Sequence, residues 1–162
     1  MSRKKRKQAK GKSAKPTYEC PASRSLARAG QPLAGFVQKA KGALVPKHRR
    51  LVKPRVDCSI HLETACAAHQ NEGEQIYDYL LVLAADCDAH YVEVHPASST
   101  GTVQEMIHKK KGTAAILGRM GVRPDGTWHW IVPSKGKVCF KASDAYGKRL
   151  AAAGIRQPRR AL

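Results

Sequence analysis

The chain has 162 residues and carries 30 Lys+Arg against 12 Asp+Glu, a formal net charge of +18. That length suits one modest domain plus a tail. No apolar stretch approaches a membrane span or follows the basic start as a secretory leader would, so neither membrane insertion nor secretion is expected and the cytoplasm is the default.

The positive excess is uneven. Residues 1–57 hold 17 basic and 2 acidic residues, net +15, whereas residues 58–162 hold 13 and 10, net +3. The division predicts a basic, largely disordered or extended arm over 1–57 and a nearly balanced α+β domain over 58–162. Arg3, Lys4, Lys5, Arg6 and Lys7 open the arm with almost no apolar residue nearby, a composition that cannot bury a core. Nucleic acid is the expected partner, since each phosphate neutralised releases condensed counterions. A membrane surface is not, because no amphipathic or lipidated anchor accompanies the charge. From residue 22 to 56 the arm reads as extended or partly helical, punctuated by Pro32, Gly35, Gly42, Pro46 and Pro54, with a second basic cluster at Lys47, His48, Arg49 and Arg50.

Residues 58–69 have small and apolar residues at helical spacing, which predicts a short helix ended by Asn71 and Gly73. Two strands follow, over 77–84 and 90–96, rich in aromatic and β-branched residues, with a turn at Asp86, Cys87 and Asp88. Thr102 and Glu105 form a capping-box signature for a helix that Gly112 should end, with Lys109, Lys110 and Lys111 in its last turn. A hairpin is expected over 127–132 and 137–140. Ser143 should cap a last helix reaching Ala152, stopped by Gly154. The fold class is α+β, with a small mixed sheet flanked by helices.

The two central strands carry the chemistry. Residues two apart on a strand share a face, so Glu93 and His95 should point the same way. A reversal near Asp86 would set Asp78 opposite His95 and within diagonal reach of Glu93, at about 4.5–8 Å. Two carboxylates and an imidazole on one patch would make a metal site with a base beside it. The bland alternative is a pair of carboxylates that blunt a sheet edge.

The cysteines support less. Five of them, an odd number scattered along the chain, read as reduced thiols. Cys58 with His61 and Cys66 with His69 have zinc-ligand spacing, yet on one helix they would spread over about 16 Å, so a structural zinc is not expected. Nothing marks Cys66 or Cys139 as a nucleophile. Trp128 and Trp130 alternate with His129 and should share one face, for core packing before stacking on unpaired bases.

Taken together, Asp78, the Glu93-Val94-His95 triplet and the helix–strand–strand–helix context resemble the PD-(D/E)xK nuclease superfamily, with the restriction-endonuclease-like fold. The resemblance covers roughly residues 58–112. It implies catalytic roles for Asp78, Glu93, His95 (where the superfamily usually has Lys) and Glu63 as the helical acid, with Glu72 second. It implies that Asp78, Glu93 and the Val94 carbonyl hold Mg²⁺ or Mn²⁺, which supplies activated water and charge neutralisation at the scissile phosphate. Mn²⁺ is expected to serve better beside a histidine.

Three departures stand out. Tyr77 occupies the position of the motif's Pro, the triplet ends in His, and only two strands are evident where the fold has three. The function the resemblance implies is phosphodiester hydrolysis of DNA or RNA, with Arg3, Lys4, Lys5, Arg6, Lys7, Arg49, Arg50, Lys109, Lys110 and Lys111 contacting the nucleic acid, and a homodimer if both strands are cut. The competing expectation is a non-catalytic nucleic-acid-binding or ribonucleoprotein-associated module in which Asp78 and Glu93 are structural.

Overall fold

The computed structural model describes residues 16–133 and 137–162. The cluster from Arg3 to Lys7, and the turn over 134–136, lie outside the described residues. The sheet is built from β1 (Gln38–Lys39), β2 (Val56–His61), β3 (Tyr79–Leu83), β4 (Ala89–Val94) and β5 (Thr127–Ile131), in that spatial order. Neighbours from β1 to β4 are antiparallel and β5 lies parallel to β4. The helices are α1 (Pro21–Leu26), α2 (Pro46–Arg49), α3 (Leu62–Cys66), α4 (Gly101–Arg119) and α5 (Ala145–Ala152).

The helix expected over 58–69 is a strand first. Val56, Cys58 and Ile60 alternate with Asp57 and Ser59, and the strand is buried between β1 and β3, so tertiary pairing overrides the weak helical spacing. Only then does α3 form, with His61 Nδ1 accepting the Thr64 amide at its start. This supplies an antiparallel strand beside β3 that the sequence does not advertise, and the two-residue β1 pairs with it in turn. It also puts the expected 57/58 boundary inside β2.

Residues 16–57 are accordingly not a free arm where they are described. Leu33 packs into the main core, while Leu44 and Val52 cover the opposite sheet face with Tyr79, Leu81, Val92 and Ile131. Asp57 accepts the amides of Glu19 and Cys20 at 3.2 and 3.0 Å. The thiols expected to be reduced include a disulfide, Cys20–Cys87, which staples the start of α1 to the β3–β4 turn across 67 residues. Reduction, or Cys87→Ser, should lower unfolding free energy by about 2–4 kcal/mol by releasing that loop closure in the unfolded chain. Urea melts with and without dithiothreitol measure it.

The main core lies between the sheet and α4. Val103, Met106, Ile116 and Leu117 of α4 face Leu80, Tyr91, Trp128 and Trp130. Tyr91 and Trp128, register partners on β4 and β5, stack with centroids 4.0 Å apart, and Tyr77 meets Trp128 edge-on. Both tryptophans are core residues.

Gly112 does not end α4. The helix runs seven residues further, because Gly112 lets it pass against the 71–77 loop. A Cβ there would sit 2.2 Å from the Gln75 carbonyl oxygen. Gly112→Ala should therefore cost about 1–3 kcal/mol through forced displacement of that backbone, which thermal unfolding would register.

Two other expectations change. Residues 137–140 form no strand and Cys139 donates its amide to Ala97 O, so the expected hairpin gives way to a loop against the 96–100 segment. Pairing at β5 comes instead from the C-terminal segment, where Arg156 and Arg159 donate to the Trp128 and Trp130 carbonyls. The last helix is capped by Asp144 and not Ser143, since the longer carboxylate accepts the Tyr146 and Gly147 amides. Among the described residues no helix is long and apolar enough to cross a membrane.

Candidate active site

The register of β3 and β4 builds the site. Tyr79 pairs with Val92, and one step further Asp78 comes level with Glu93, not with His95 as expected. The ladder's hydrogen bonds are then taken over by side chains. Asp78 donates its amide to Glu93 Oε2 at 3.1 Å, and Val94 donates its amide to Asp78 Oδ2 at 3.0 Å. Each carboxylate is thereby locked onto the other's strand. At Val94 it is the amide, not the carbonyl expected as a ligand, that contacts the pair.

The third member comes from α4. Lys109 Nζ donates to Glu93 Oε1 at 2.5 Å, with side chains 16% and 2% exposed respectively. Thr113 fixes this part of the helix by donating to the Lys109 carbonyl and accepting the Tyr77 amide. Lys109, Lys110 and Lys111 thus sit mid-helix and diverge. Lys110 donates to the Ala153 carbonyl and lies 5.1 Å from the Trp128 ring centroid. Lys111 lines a cleft with Glu74 and His108. Of the expected nucleic-acid contacts, Lys109 and Lys110 are occupied within the fold, and Arg49 spends its guanidinium on the Leu44 and Gly42 carbonyls. Arg50 remains exposed.

Electrostatics mark the pair as unusual. Burial, and then the charge of Asp78, push the Glu93 carboxyl up to about 7, although Lys109 pulls it back. Burial opposes the Lys109 charge, but Glu93 and Asp78 hold its ammonium above the ordinary lysine range. The buried Tyr77 hydroxyl is pushed up by burial and by Glu93, and it has no hydrogen-bond partner among the described residues.

His95 is drawn elsewhere. Its Nδ1 lies 2.8 Å from Pro96 O and its Nε2 3.4 Å from Glu105 on α4. Glu63 is exposed on α3, and its charge, with those of Asp78 and Glu93, raises the Tyr79 phenol after burial does. Glu72 is exposed in the loop before β3.

Sequence reasoning missed Lys109 as a site residue, although a signal was present. Thr102, Met106, Lys109, Thr113 and Ile116 follow helical spacing, so Lys109 interrupts a buried stripe. It also missed a rim of aromatic and imidazole groups. His48 Nδ1 lies 2.9 Å from the Tyr79 hydroxyl, and both His48 and His61 pack edge-on against its ring. Burial holds His48 below the ordinary histidine range, with the Asp78 charge opposing it.

Among the described residues no group of three or more His, Cys, Asp or Glu side chains is placed to hold a metal ion. Asp78 and Glu93 are two hard oxygen donors in contact through one backbone. Burial, and then the Asp78 charge, hold the Glu93 carboxyl up, and positive charge beyond that of Lys109 would relieve the repulsion between the two carboxylates. Mg²⁺ and Mn²⁺ accept one or two protein carboxylates and complete their shell with water and substrate phosphate. No family model, curated protein or solved structure matches this chain.

Proposed function

We propose that the protein is a metal-dependent phosphodiesterase acting on DNA or RNA, of the restriction-endonuclease-like type, with Asp78, Glu93 and Lys109 as its working residues. One observation carries the reading. The lysine that the Glu93-x-His95 triplet lacks arrives from α4 and sits on Glu93, beside Asp78. The antiparallel run β2–β3–β4 ahead of α4, which the two-residue β1 extends to four strands, also supports it, since the sequence shows only two of these strands. α1 carries no acidic residue, so the helical Glu of the superfamily has no counterpart on it.

In this reading Asp78 and Glu93 would hold Mg²⁺ or Mn²⁺, which would supply activated water and neutralise charge on the scissile phosphate. The chain's own work is positioning. The two hydrogen bonds from backbone amides fix the carboxylates, so they need little reorganisation when the phosphate arrives. Lys109 keeps Glu93 oriented and adds a fixed positive charge where the phosphorane becomes more negative. Water's oxygen bonds to phosphorus as the bond to the sugar oxygen breaks; the attacking water gives up one proton to solvent and the leaving alkoxide takes one up from solvent.

A second reading, the non-catalytic binding module, has one observation in its favour. Glu93 Oε1, Glu93 Oε2 and Asp78 Oδ2 are all satisfied by the protein itself. Titration with Mn²⁺ followed by electron paramagnetic resonance separates the two. The phosphodiesterase reading expects one bound ion whose affinity falls at least about tenfold, 1.4 kcal/mol, in folded Asp78→Asn. Equal binding by both proteins would leave the carboxylates structural.

A further inference from the structure

A cleft of about 300 Å³ opens on the opposite sheet face, at the same end of β4 as the carboxylates. Lys47, His48 and Arg50 supply its polar side, and Leu51, Val94 and Pro133 its apolar walls. Two contacts tie it to the strands of the candidate active site. Val94 donates its amide to Asp78 Oδ2, and His48 Nδ1 lies 2.9 Å from the hydroxyl of Tyr79, the residue after Asp78 on β3. Neither Lys47 nor Arg50 is in an ion pair among the described residues, unlike Arg55, Arg119 and Arg123.

The chemistry of the walls selects the occupant. Two cations beside apolar proline, leucine and valine surfaces match an amphiphilic group with an anionic end and a flat apolar body. A nucleotide has that character, and the volume is that of about one nucleotide and not of a duplex. We propose that this cleft binds one unpaired nucleotide of a single strand, its phosphate on Lys47 and Arg50 and its base against Leu51, Val94 and Pro133. A strand held there reaches the carboxylates only by passing around the Val94 end of β4, a path open to a single strand and not to a duplex, which makes single strands the preferred substrate. The proposal rests on the phosphodiesterase reading for what happens next, but not for binding itself.

The test uses the full chain in EDTA, so that no cleavage is needed, with fluorescein-labelled dT15 and a blunt 15-base-pair duplex as probes. Lys47→Gln/Arg50→Gln should weaken dT15 binding about tenfold and flatten its salt slope by about 1.4, two single-strand phosphate contacts' worth. Duplex binding, carried by the remaining basic residues, should change less than about twofold. Leu51→Ala, which keeps the charges, should weaken dT15 alone. Circular dichroism checks that both variants fold. An equal loss on both probes, or no loss on dT15, overturns the proposal. Cleavage that fails while these binding differences hold would remove the phosphodiesterase reading and leave the cleft standing.

Discussion

Lys109→Met should lower nucleic-acid cleavage by about 10²- to 10³-fold, the range for deleting one preorganised charge donor. His95→Ala should change it less than about threefold, under 1 kcal/mol. The contrast follows from where α4 and β4 deliver the two side chains. Lys109 is on Glu93, whereas His95 is engaged by Glu105 and Pro96. Removing Lys109 does two things at once. The fixed positive charge is lost, and Glu93, already held up to about 7, is pushed further toward its neutral form and becomes a poorer ligand. Raising the assay pH should therefore recover part of the loss in Lys109→Met but not all of it. Lys109→Arg, which keeps the charge, should retain more activity at every pH. Initial rates on a labelled strand in saturating Mn²⁺ make the comparison.

The same buried pair should shape stability against pH. The Glu93 carboxyl lies near 4.5 when the chain is unfolded and near 7 when folded. Between those values the folded state binds more protons, so this group's contribution is full below pH 4.5 and is lost as pH rises through 7. The expected amplitude is about 3 kcal/mol, at 1.36 kcal/mol per pH unit. Glu93→Gln should flatten that neutral limb.

His129 acts with the opposite sign. It belongs to a buried chain in which His90 Nδ1 meets His129 Nε2 at 2.9 Å, and Arg159 meets His129 Nδ1 at 3.0 Å. Burial and the neighbouring Arg159 push it down from 6.5 to about 3. The unfolded state then binds the extra proton, so stability from this group is present above pH 6.5 and is lost as pH falls toward 3. His129→Gln should flatten the acid limb and leave the neutral one. Urea midpoints from pH 3 to 9 for the three proteins would resolve the two limbs.

How far the sequence reaches is clearest at β3 and β4. Alternating aromatic and β-branched residues announce both strands, and their turn brings Asp78 and Glu93 together. The register differs by two residues from the one the sequence suggests, because a ladder's pairing depends on the turn's backbone. Here Cys87 has φ +58 and Leu83 O accepts the Cys87 amide, neither visible as a residue pattern.

β2 was illegible for a different reason. Its residues alternate Val56, Cys58 and Ile60 with the polar Asp57 and Ser59, but that six-residue rhythm is short, and the small residues after it extend a helical rhythm backwards. The Cys20–Cys87 pairing is also nonlocal and could not be read from spacing. Lys109 was in plain view, yet its neighbours Lys110 and Lys111 made it look like part of a solvated run. What distinguished it was its place in the stripe from Thr102 to Ile116, and that only decides something once the helix is known to continue past Gly112.

The most direct test of the central claim is cleavage itself. Purified protein would be incubated with labelled single-stranded and duplex DNA and RNA in Mg²⁺, Mn²⁺ or EDTA, beside Asp78→Asn. The phosphodiesterase account expects hydrolysis with either metal, none in EDTA and none with Asp78→Asn, while that variant binds the strand as well as the parent or better, since a negative charge beside the phosphate is gone. Hydrolysis undiminished in folded Asp78→Asn, or no hydrolysis of any probe by protein that binds both Mn²⁺ and the strand, would contradict it.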